Sequence, residues 1–189
     1  MESTWIIKTG TQQTDVVLIQ QNVDGSAAFN RSWNEFKVGF GNVTTNFWIG
    51  NDCLNQLTRY GAYRVKIEIL STANLTYWLW AEYDRFIVGN ELTGYQLQIS
   101  GYSGIAGDAL NGAGASYVAN GMKFTTYDRK NDFNPTVNCA VRTWAGFWYN
   151  SCTAAHINTM HGAPSGCKWN PEPAIAYPLK STRMTLFCP

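Results

Sequence analysis

The chain has 189 residues, and its 14 basic and 13 acidic side chains give a formal net charge of +1. This length suits one domain with a substantial core, and we predict a single domain over residues 1–189. The charge is balanced and forms no basic stripe, which argues against a nucleic-acid partner. No apolar run reaches the ~18 residues that span a bilayer, so we expect no membrane insertion.

Aromatic residues make up 14% of the chain, and most of them are expected in a ring-packed, β-rich core rather than on a binding surface. Five cysteines and three N-glycosylation sequons, which begin at Asn30, Asn42 and Asn74, point to the secretory pathway. We therefore expect an extracellular, secreted protein.

The first predicted elements are a strand and a short helix. Residues 15–26 form an apolar run that closes in an Asp-Gly turn, which predicts a strand. Residues 30–42 predict an amphipathic helix, because Ser32 stands three residues before Glu35 in the spacing of a capping box. A second helix is predicted over residues 51–61, with Asn51 or Asp52 as its N-cap and Gly61 at its end.

Longer strands follow. Residues 63–70, 76–89 and 95–100 alternate apolar and polar side chains, and their short connections favour an antiparallel meander. After residue 100 regularity fades, and only residues 180–187 resemble a strand again. Long irregular stretches in a compact domain are usually functional, so we expect the binding function there.

Seven separated motifs resemble, in order, the landmarks of the fibrinogen C-terminal globular domain, also called the fibrinogen-related domain, as in fibrinogen chains, ficolins, tachylectins and angiopoietins. They are DGSAAFNRSWNEFKVGFGN, FWIGND, GYSGIAGDAL, MKFTTYDRKND, NCA, GFWYNSCTAAHIN and YPLKSTRM. The family's N-terminal disulfide subdomain has no counterpart in these residues.

The resemblance implies an α+β fold with a central antiparallel sheet and short helices. It places the helices and sheet at about 16–100, a loop-rich ligand and calcium subdomain at 101–178, and a returning strand at 179–189. It also implies a disulfide between Cys139 and Cys152, preceded by a cis Ser151–Cys152 peptide bond.

The family's calcium loop has the form Asp-x-Asp-x-Asp, and its three acids align with Asp128, Lys130 and Asp132. Carbonyls of Asn134 and Thr136 would complete the ligand shell. Calcium takes about six to eight oxygen ligands, and Lys130 brings a positive charge instead. We therefore expect calcium to be absent, with Lys130 paired with Asp128 or Asp132; the alternative is that Lys130 points to solvent.

The lectin members of the family bind acetyl groups with a histidine and a tyrosine where this chain has Thr153 and Thr143. Trp148 and Tyr149 match positions in the family's core, and we expect them to be buried. The resemblance implies a ligand-binding surface that comprises Thr143, Trp144, Ser151, Cys152, Thr153 and Trp169.

No catalytic or second metal site is expected. His156 and His161 lack a well-placed third ligand, which favours a packing role. The pairing of the other cysteines stays open: Cys188 is predicted to pair with Cys167 or Cys53, and a spare Cys53 would link two chains or lie buried.

The primary interpretation is a lectin-like recognition domain of innate-immune type, which binds glycans, acetylated groups or cell-surface glycoproteins. The alternative is a protein-binding ligand or adhesion module of the same fold, with a protein receptor and no need for sugar or calcium. A third is a structural module whose spare cysteines cross-link a homo-oligomer.

Overall fold

A computed structural model describes residues 6–7, 16–24, 29–61, 63–72, 74–112, 114–160, 166–172 and 175–187. The strands are β1 (Ile6–Ile7), β2 (Val16–Asn22), β3 (Phe40–Gly41), β4 (Phe47–Trp48), β5 (Arg64–Ser71), β6 (Asn74–Val88), β7 (Leu97–Gly104), β8 (Phe124–Thr125), β9 (Phe147–Trp148), β10 (Lys168–Glu172) and β11 (Ile175–Phe187). The helices are α1 (Trp33–Val38), α2 (Asn51–Thr58) and α3 (Cys139–Thr143), with a 3-10 turn at Glu91–Thr93.

One large antiparallel sheet organises the described part of the chain. Its strands run in the order β3-β4-β2-β11-β5-β6-β7, with β1 also paired to β2 and β10 to β11. The predicted meander is confirmed as β5-β6-β7. The C-terminal strand β11 lies in the middle of the sheet between β2 and β5, and it begins five residues earlier than the sequence pattern predicted. The α+β fold with a central antiparallel sheet is therefore confirmed.

The alternation along β5 explains how the sheet is buried on one face. Val65, Ile67 and Ile69 are each 0% exposed, whereas the residues between them are partly exposed. Successive side chains of a strand point to opposite faces, so this pattern directs the apolar set into the core.

The N-terminus of α1 has the predicted capping box. The Ser32 hydroxyl accepts from the N–H of Glu35, and the Glu35 carboxylate accepts from the N–H of Ser32 at 2.8 Å. This pair satisfies two backbone donors that the first helical turn leaves free. It also fixes the segment just before the helix, where Asn30 lies.

The predicted cap of α2 is wrong. Gly50 is the N-cap without a side-chain hydrogen bond, and the helix ends at Thr58 rather than Gly61. The oxygen of Asn51 accepts instead from the indole N–H of Trp48, and the carboxylate of Asp52 accepts from the hydroxyl of Tyr95. Both side chains that the pattern assigned to capping thus accept hydrogen bonds from aromatic residues outside the helix, one of them three residues away and the other distant in the sequence.

Aromatic rings form the centre of the core, as expected. Trp148 lies 5.2 Å from Phe124 and 6.0 Å from Trp48 between ring centroids, and Phe36 lies 4.9 Å from Phe124. All four side chains are 0% exposed. Because Phe124 belongs to β8 and Trp148 to β9, this cluster anchors the two-stranded β8-β9 sheet, and with it the loops on either side, to the main body.

Candidate functional site

The ammonium group of Lys130 lies in a cluster of oxygen atoms in the loop that follows β8. It donates to the Oδ1 atom and the backbone carbonyl of Asp132, both at 3.0 Å, and to the backbone carbonyl of Asn134 at 2.8 Å. The Lys130 side chain is 40% exposed, whereas the Asp132 side chain is 0% exposed. Lys130 thus pairs with one of its two predicted partners and draws the loop together around its amine.

The Asp132 carboxylate is also bound by backbone donors. Its Oδ1 atom accepts from the N–H of Asn134 at 3.0 Å, and its Oδ2 atom accepts from the N–H of Cys139 at 3.2 Å. Burying a carboxylate without hydrogen-bond partners costs several kcal/mol of folding free energy, so these bonds are needed to offset the burial of Asp132. The loop and the first residue of α3 therefore share one ionic anchor.

The other predicted metal ligands bind neighbouring protein groups. Asp128 Oδ1 accepts from the N–H of Trp33 at 2.9 Å, at the first residue of α1. The N–H and the hydroxyl of Thr136 both donate to Asn134 Oδ1 at 3.0 Å. The structure therefore brings Asp132, Asn134 and Thr136 into one loop and uses Asp128 to hold α1.

These residues do not fit a calcium ion. Calcium takes about six to eight oxygens and repels a neighbouring ammonium group. The Asp132 carboxylate and the Asn134 carbonyl, which the resemblance assigns to calcium, are hydrogen-bonded to Lys130 instead. Across the described ranges, no three His, Cys, Asp or Glu side chains gather as a metal site.

The predicted disulfide joins α3 to the segment after β9. Cys139 and Cys152 are bonded with their Cα atoms 5.4 Å apart, and the Ser151–Cys152 peptide bond is cis, as the resemblance implies. Cys139 begins α3, and the N-cap Asn138 accepts from two N–H groups of that helix. The Asn134 amide donates to the Ser151 hydroxyl at 3.3 Å, so the Lys130 loop also contacts this segment.

Two of the predicted ligand-binding side chains are engaged inside the protein. Thr143 is 0% exposed, donates to the carbonyl of Cys139 at 2.9 Å and shares a 2.6 Å hydrogen bond with the Tyr149 hydroxyl. Burial raises the pKa of Tyr149 above its ordinary value, which keeps this hydroxyl protonated. Trp169 is also 0% exposed, and its indole N–H donates to backbone carbonyls at 3.1 Å. Neither side chain presents surface to a ligand.

The remaining predicted positions divide between buried and exposed. Thr153 is 5% exposed, with its hydroxyl accepting from the N–H of Ala155, and Cys152 is 7% exposed. Ser151 is half-buried, and Trp144 is 37% exposed. Only Ser151 and Trp144 of the six predicted residues therefore offer substantial surface.

His156 is 7% exposed, and Cys167 is half-buried at the edge of the core. Burial, together with the nearby Lys168 charge, lowers the pKa of His156 to about 4. Burial raises the pKa of the Cys167 thiol to about 12 and also raises that of Cys53. Among the described residues neither thiol is in a disulfide. The predicted pairings with Cys188, and the second histidine at position 161, lie outside the described residues.

Phe133 is an exposed aromatic residue that the sequence did not lead us to expect at a binding surface. It is 69% exposed and stands between Asp132 and Asn134, the two residues that Lys130 binds. Val137 in the same loop is 39% exposed. We call residues 133–137 the recognition loop. In the sequence, the feature that could have indicated this loop is one aromatic residue between two residues with oxygen-bearing side chains.

A concave pocket of about 270 Å³ lies at the other end of α3, and we call it the Asn30 pocket. It is lined by Asn30, Tyr127, Val141 and Trp144. Trp144 adopts the left-handed conformation with φ 55°, which is uncommon for a bulky residue, and it ends α3 with its ring half-exposed. Tyr127 and Val141 were not predicted, although Val141 and Trp144 stand three residues apart, a spacing that puts both on one helical face.

Comparisons with known proteins agree with this architecture. Residues 7–188 match the family model described as "Fibrinogen beta and gamma chains, C-terminal globular domain". Angiopoietin-1 from Bos taurus is 35% identical over 177 residues, or 89% of this chain and 34% of that protein. Fibroleukin from Bos taurus is 37% identical over 166 residues, or 84% of this chain and 37% of that protein. The chain thus spans about a third of the length of these relatives.

Solved structures show the same fold. The fibrinogen-like globe domain of human ANGPTL2 superposes with a TM-score of 0.82 at 29% identity, covering 96% of this chain and 83% of that one. A lamprey fibrin D-dimer superposes with a TM-score of 0.85 at 29% identity, covering 97% of this chain and 64% of that one. None of the helices within the described residues is long and apolar enough to cross a membrane.

Domains of this kind are non-enzymatic binding modules, so the expectation that the chain is not an enzyme is confirmed. The family match covers nearly the whole chain, and the disulfide, the sheet and the loop-rich end follow the expected plan. The chain belongs to the family of fibrinogen C-terminal globular domains.

Proposed function

We propose that this chain is an extracellular recognition module that binds a protein partner through its recognition loop, without calcium. The observation that carries the proposal is the position of the Lys130 ammonium group, which binds the residues on both sides of Phe133. A positively charged side chain thereby takes the place of a metal ion and holds an exposed aromatic ring outward. The secretory location is supported by the Cys139–Cys152 disulfide, since such bonds persist in oxidising compartments.

The shape of the recognition loop suits a protein partner. Aromatic residues, phenylalanine included, are enriched at protein–protein interfaces relative to the rest of the surface. A loop that is already held in place loses less conformational entropy on binding than a free one. The Asn134 side chain forms hydrogen bonds with Thr136, Val137 and Ser151. These bonds hold the loop in addition to the ion pair of Lys130.

A relative provides a precedent for peptide binding. The lamprey fibrin D-dimer was solved as a complex with the peptide ligand Gly-His-Arg-Pro-amide. That structure superposes on 97% of this chain. A peptide segment of a partner protein is therefore the class of ligand that we propose for the recognition loop.

Lectin-type binding, the primary interpretation of the sequence, receives less support from the side chains. Thr143, Thr153 and Trp169 are buried, and their polar atoms are hydrogen-bonded within the protein. A sugar could reach them only after these bonds had opened. Protein binding requires no such rearrangement, and we propose it for that reason.

A selection experiment separates the two functions. A displayed random-peptide library is selected on the wild-type chain in EDTA, and the same protein is applied to a glycan array with and without calcium. We expect peptides whose affinity falls more than about thirtyfold on Phe133→Ala, which corresponds to the ~2 kcal/mol that defines an interface hot spot. Leu92→Ala is the matched control, because Leu92 is 97% exposed on the 3-10 turn outside the recognition loop.

Two results would count against protein recognition. One is calcium-dependent binding to particular glycans with no enriched peptide. The other is enriched peptides that bind Phe133→Ala and the wild type equally well, which would move the binding surface away from the recognition loop.

A further inference from the structure

We propose that Asn30 carries an N-linked glycan whose first N-acetylglucosamine packs in the Asn30 pocket against Tyr127 and Trp144. This is a covalent modification site on the surface formed by the segment before α1, the loop after β8 and the C-terminal half of α3. It does not depend on the recognition loop, and neither proposal requires the other.

Asn30-Arg31-Ser32 is an acceptor sequon for N-glycosylation. The side-chain nitrogen Nδ2 of Asn30 forms a bond to C1 of the sugar. The bond from C1 to the phosphate oxygen of a lipid-pyrophosphate oligosaccharide donor breaks, the lipid pyrophosphate leaves, and the amide loses one proton. The Ser32 hydroxyl is engaged with Glu35 in the folded protein, so transfer is expected on the chain before α1 forms.

The folded structure places Asn30 in the wall of an apolar pocket. Asn30 is exposed, and Tyr127, Val141 and Trp144 line the same concave surface with 45%, 53% and 37% of their areas exposed. A sugar attached to the asparagine side chain therefore begins at the edge of the pocket. It needs no long linker to reach the two rings.

Hydrogen bonds hold the three segments around the pocket in register. The Asp128 carboxylate binds the N–H of Trp33, which fixes the loop that contains Tyr127 against the start of α1. The Asn138 amide donates to the carbonyl of Tyr127 at 3.2 Å, while its oxygen caps α3. The backbone segments that carry the pocket residues are thus held in place relative to one another.

The chemistry of the pocket suits one pyranose ring. The C–H face of a sugar and the methyl of an acetyl group are apolar and pack on aromatic faces, while the hydroxyls stay in water. Small-molecule sites usually enclose roughly 300–1,000 Å³. A volume of about 270 Å³ falls just below that range, which favours a single sugar residue over a branched chain.

The other sequons differ from Asn30 and provide a control. Asn42 is exposed, and its oxygen accepts from the N–H and the hydroxyl of Thr44, both at 2.9 Å, in a tight turn. Asn42 is not among the residues that line the Asn30 pocket. The side chain of Asn74 lies outside the described residues.

The experiment uses the full chain secreted from animal cells that make high-mannose glycans, trimmed with endoglycosidase H so that one N-acetylglucosamine remains at each occupied site. Mass spectrometry of peptides measures occupancy. Thermal melting is then compared for the wild type, Asn30→Gln, Trp144→Ala and the double variant, with Asn42→Gln as the matched control. Ser32→Thr keeps both the sequon and an N-cap hydroxyl, and its occupancy at Asn30 shows whether the threonine form of the sequon is also glycosylated.

We expect occupancy at Asn30 in the wild type and in Ser32→Thr. Asn30→Gln should lower the melting temperature by roughly 2 °C or more in the wild-type background, a shift that is measurable for a domain of this size. The same change should have little effect in the Trp144→Ala background, because the sugar then has no ring to pack on. Asn42→Gln should behave alike in both backgrounds, and unglycosylated protein from a bacterial periplasm should show no effect of Asn30→Gln.

An unmodified Asn30 peptide would overturn the modification site. An occupied Asn30 whose effect on melting is the same with and without Trp144 would overturn the packing. Since occupancy is read by mass, a Trp144 variant that melts poorly does not obscure the first result. Tyr127→Ala provides a second background for the melting comparison if Trp144→Ala does not fold.

Discussion

Replacing Lys130 by methionine removes the ammonium group and keeps most of the side-chain length. The Asp132 carboxylate then retains two backbone donors but has no cation, and the carbonyls of Asp132 and Asn134 lose a shared donor. An exposed ion pair contributes about 0–1 kcal/mol, whereas hydrogen bonds to charged groups contribute about 1.5–3 kcal/mol. Lys130 is 40% exposed over a fully buried partner, so we expect a loss of about 2 kcal/mol.

For a chain of this length, that loss corresponds to a melting temperature lower by about 4–8 °C. Lys180→Met is the control, because Lys180 is exposed and forms no ion pair within the described part of the chain, and it should change stability by less than about 0.5 kcal/mol. Hydrogen exchange should localise the effect to the amides of Asn134 and Cys139, which donate to the Asp132 carboxylate. If Lys130→Met melts within about 1 °C of the wild type, the ammonium group does not hold the loop and the reasoning fails.

Three further predictions follow from the same structure. Lys130→Asp restores three alternating acids at 128, 130 and 132. Millimolar calcium should therefore raise the melting temperature of this variant and not that of the wild type. An equal rise in both proteins would contradict the proposal that Lys130 takes the place of the ion. His156 has a folded pKa of about 4, below its unfolded value near 6.5, so the unfolded state binds more protons between these values and stability should fall as pH drops through that window, by up to about 3 kcal/mol in total. Urea denaturation at several pH values should show this slope, and His156→Gln should flatten it; a wild-type stability that is unchanged from pH 7 to pH 4.5 would contradict it. Joint replacement of Cys139 and Cys152 by alanine opens a bridge with a sequence separation of 13 and should cost roughly 3 kcal/mol in denaturant titrations, whereas a loss below ~1 kcal/mol would show that the loop is held by Lys130 alone.

The elements that the sequence predicted well depend on local patterns. The capping box of Ser32 and Glu35 involves residues three apart, and the alternation of β5 is set by strand geometry alone. The cap of α2 was mispredicted because Trp48 and Tyr95, from other elements, bind the residues that would have capped it. The place of β11 between β2 and β5 is likewise a long-range pairing that no short window contains.

The candidate site shows the same division. The family resemblance correctly implied the Cys139–Cys152 disulfide, and the alignment of Lys130 with a calcium ligand of that family led to the predicted ion pair with Asp128 or Asp132, of which Asp132 is the partner. Lys130 also binds the backbone carbonyls of Asp132 and Asn134. Their positions depend on the backbone path of the loop, which could not be predicted from the sequence. The burial of Thr143 depends on Tyr149, whose hydroxyl meets it inside the core.

The most direct test of the central claim, that Lys130 replaces calcium in holding the recognition loop, is calorimetric titration of calcium into the wild-type chain. The titration is repeated with N-acetylglucosamine present, and Lys130→Asp serves as the calcium-binding comparison. We expect no saturable heat from calcium or sugar with the wild type. Saturable calcium binding by the wild type, with a sugar heat that depends on it, would show that Lys130 does not replace the ion and that this domain is a calcium-dependent lectin.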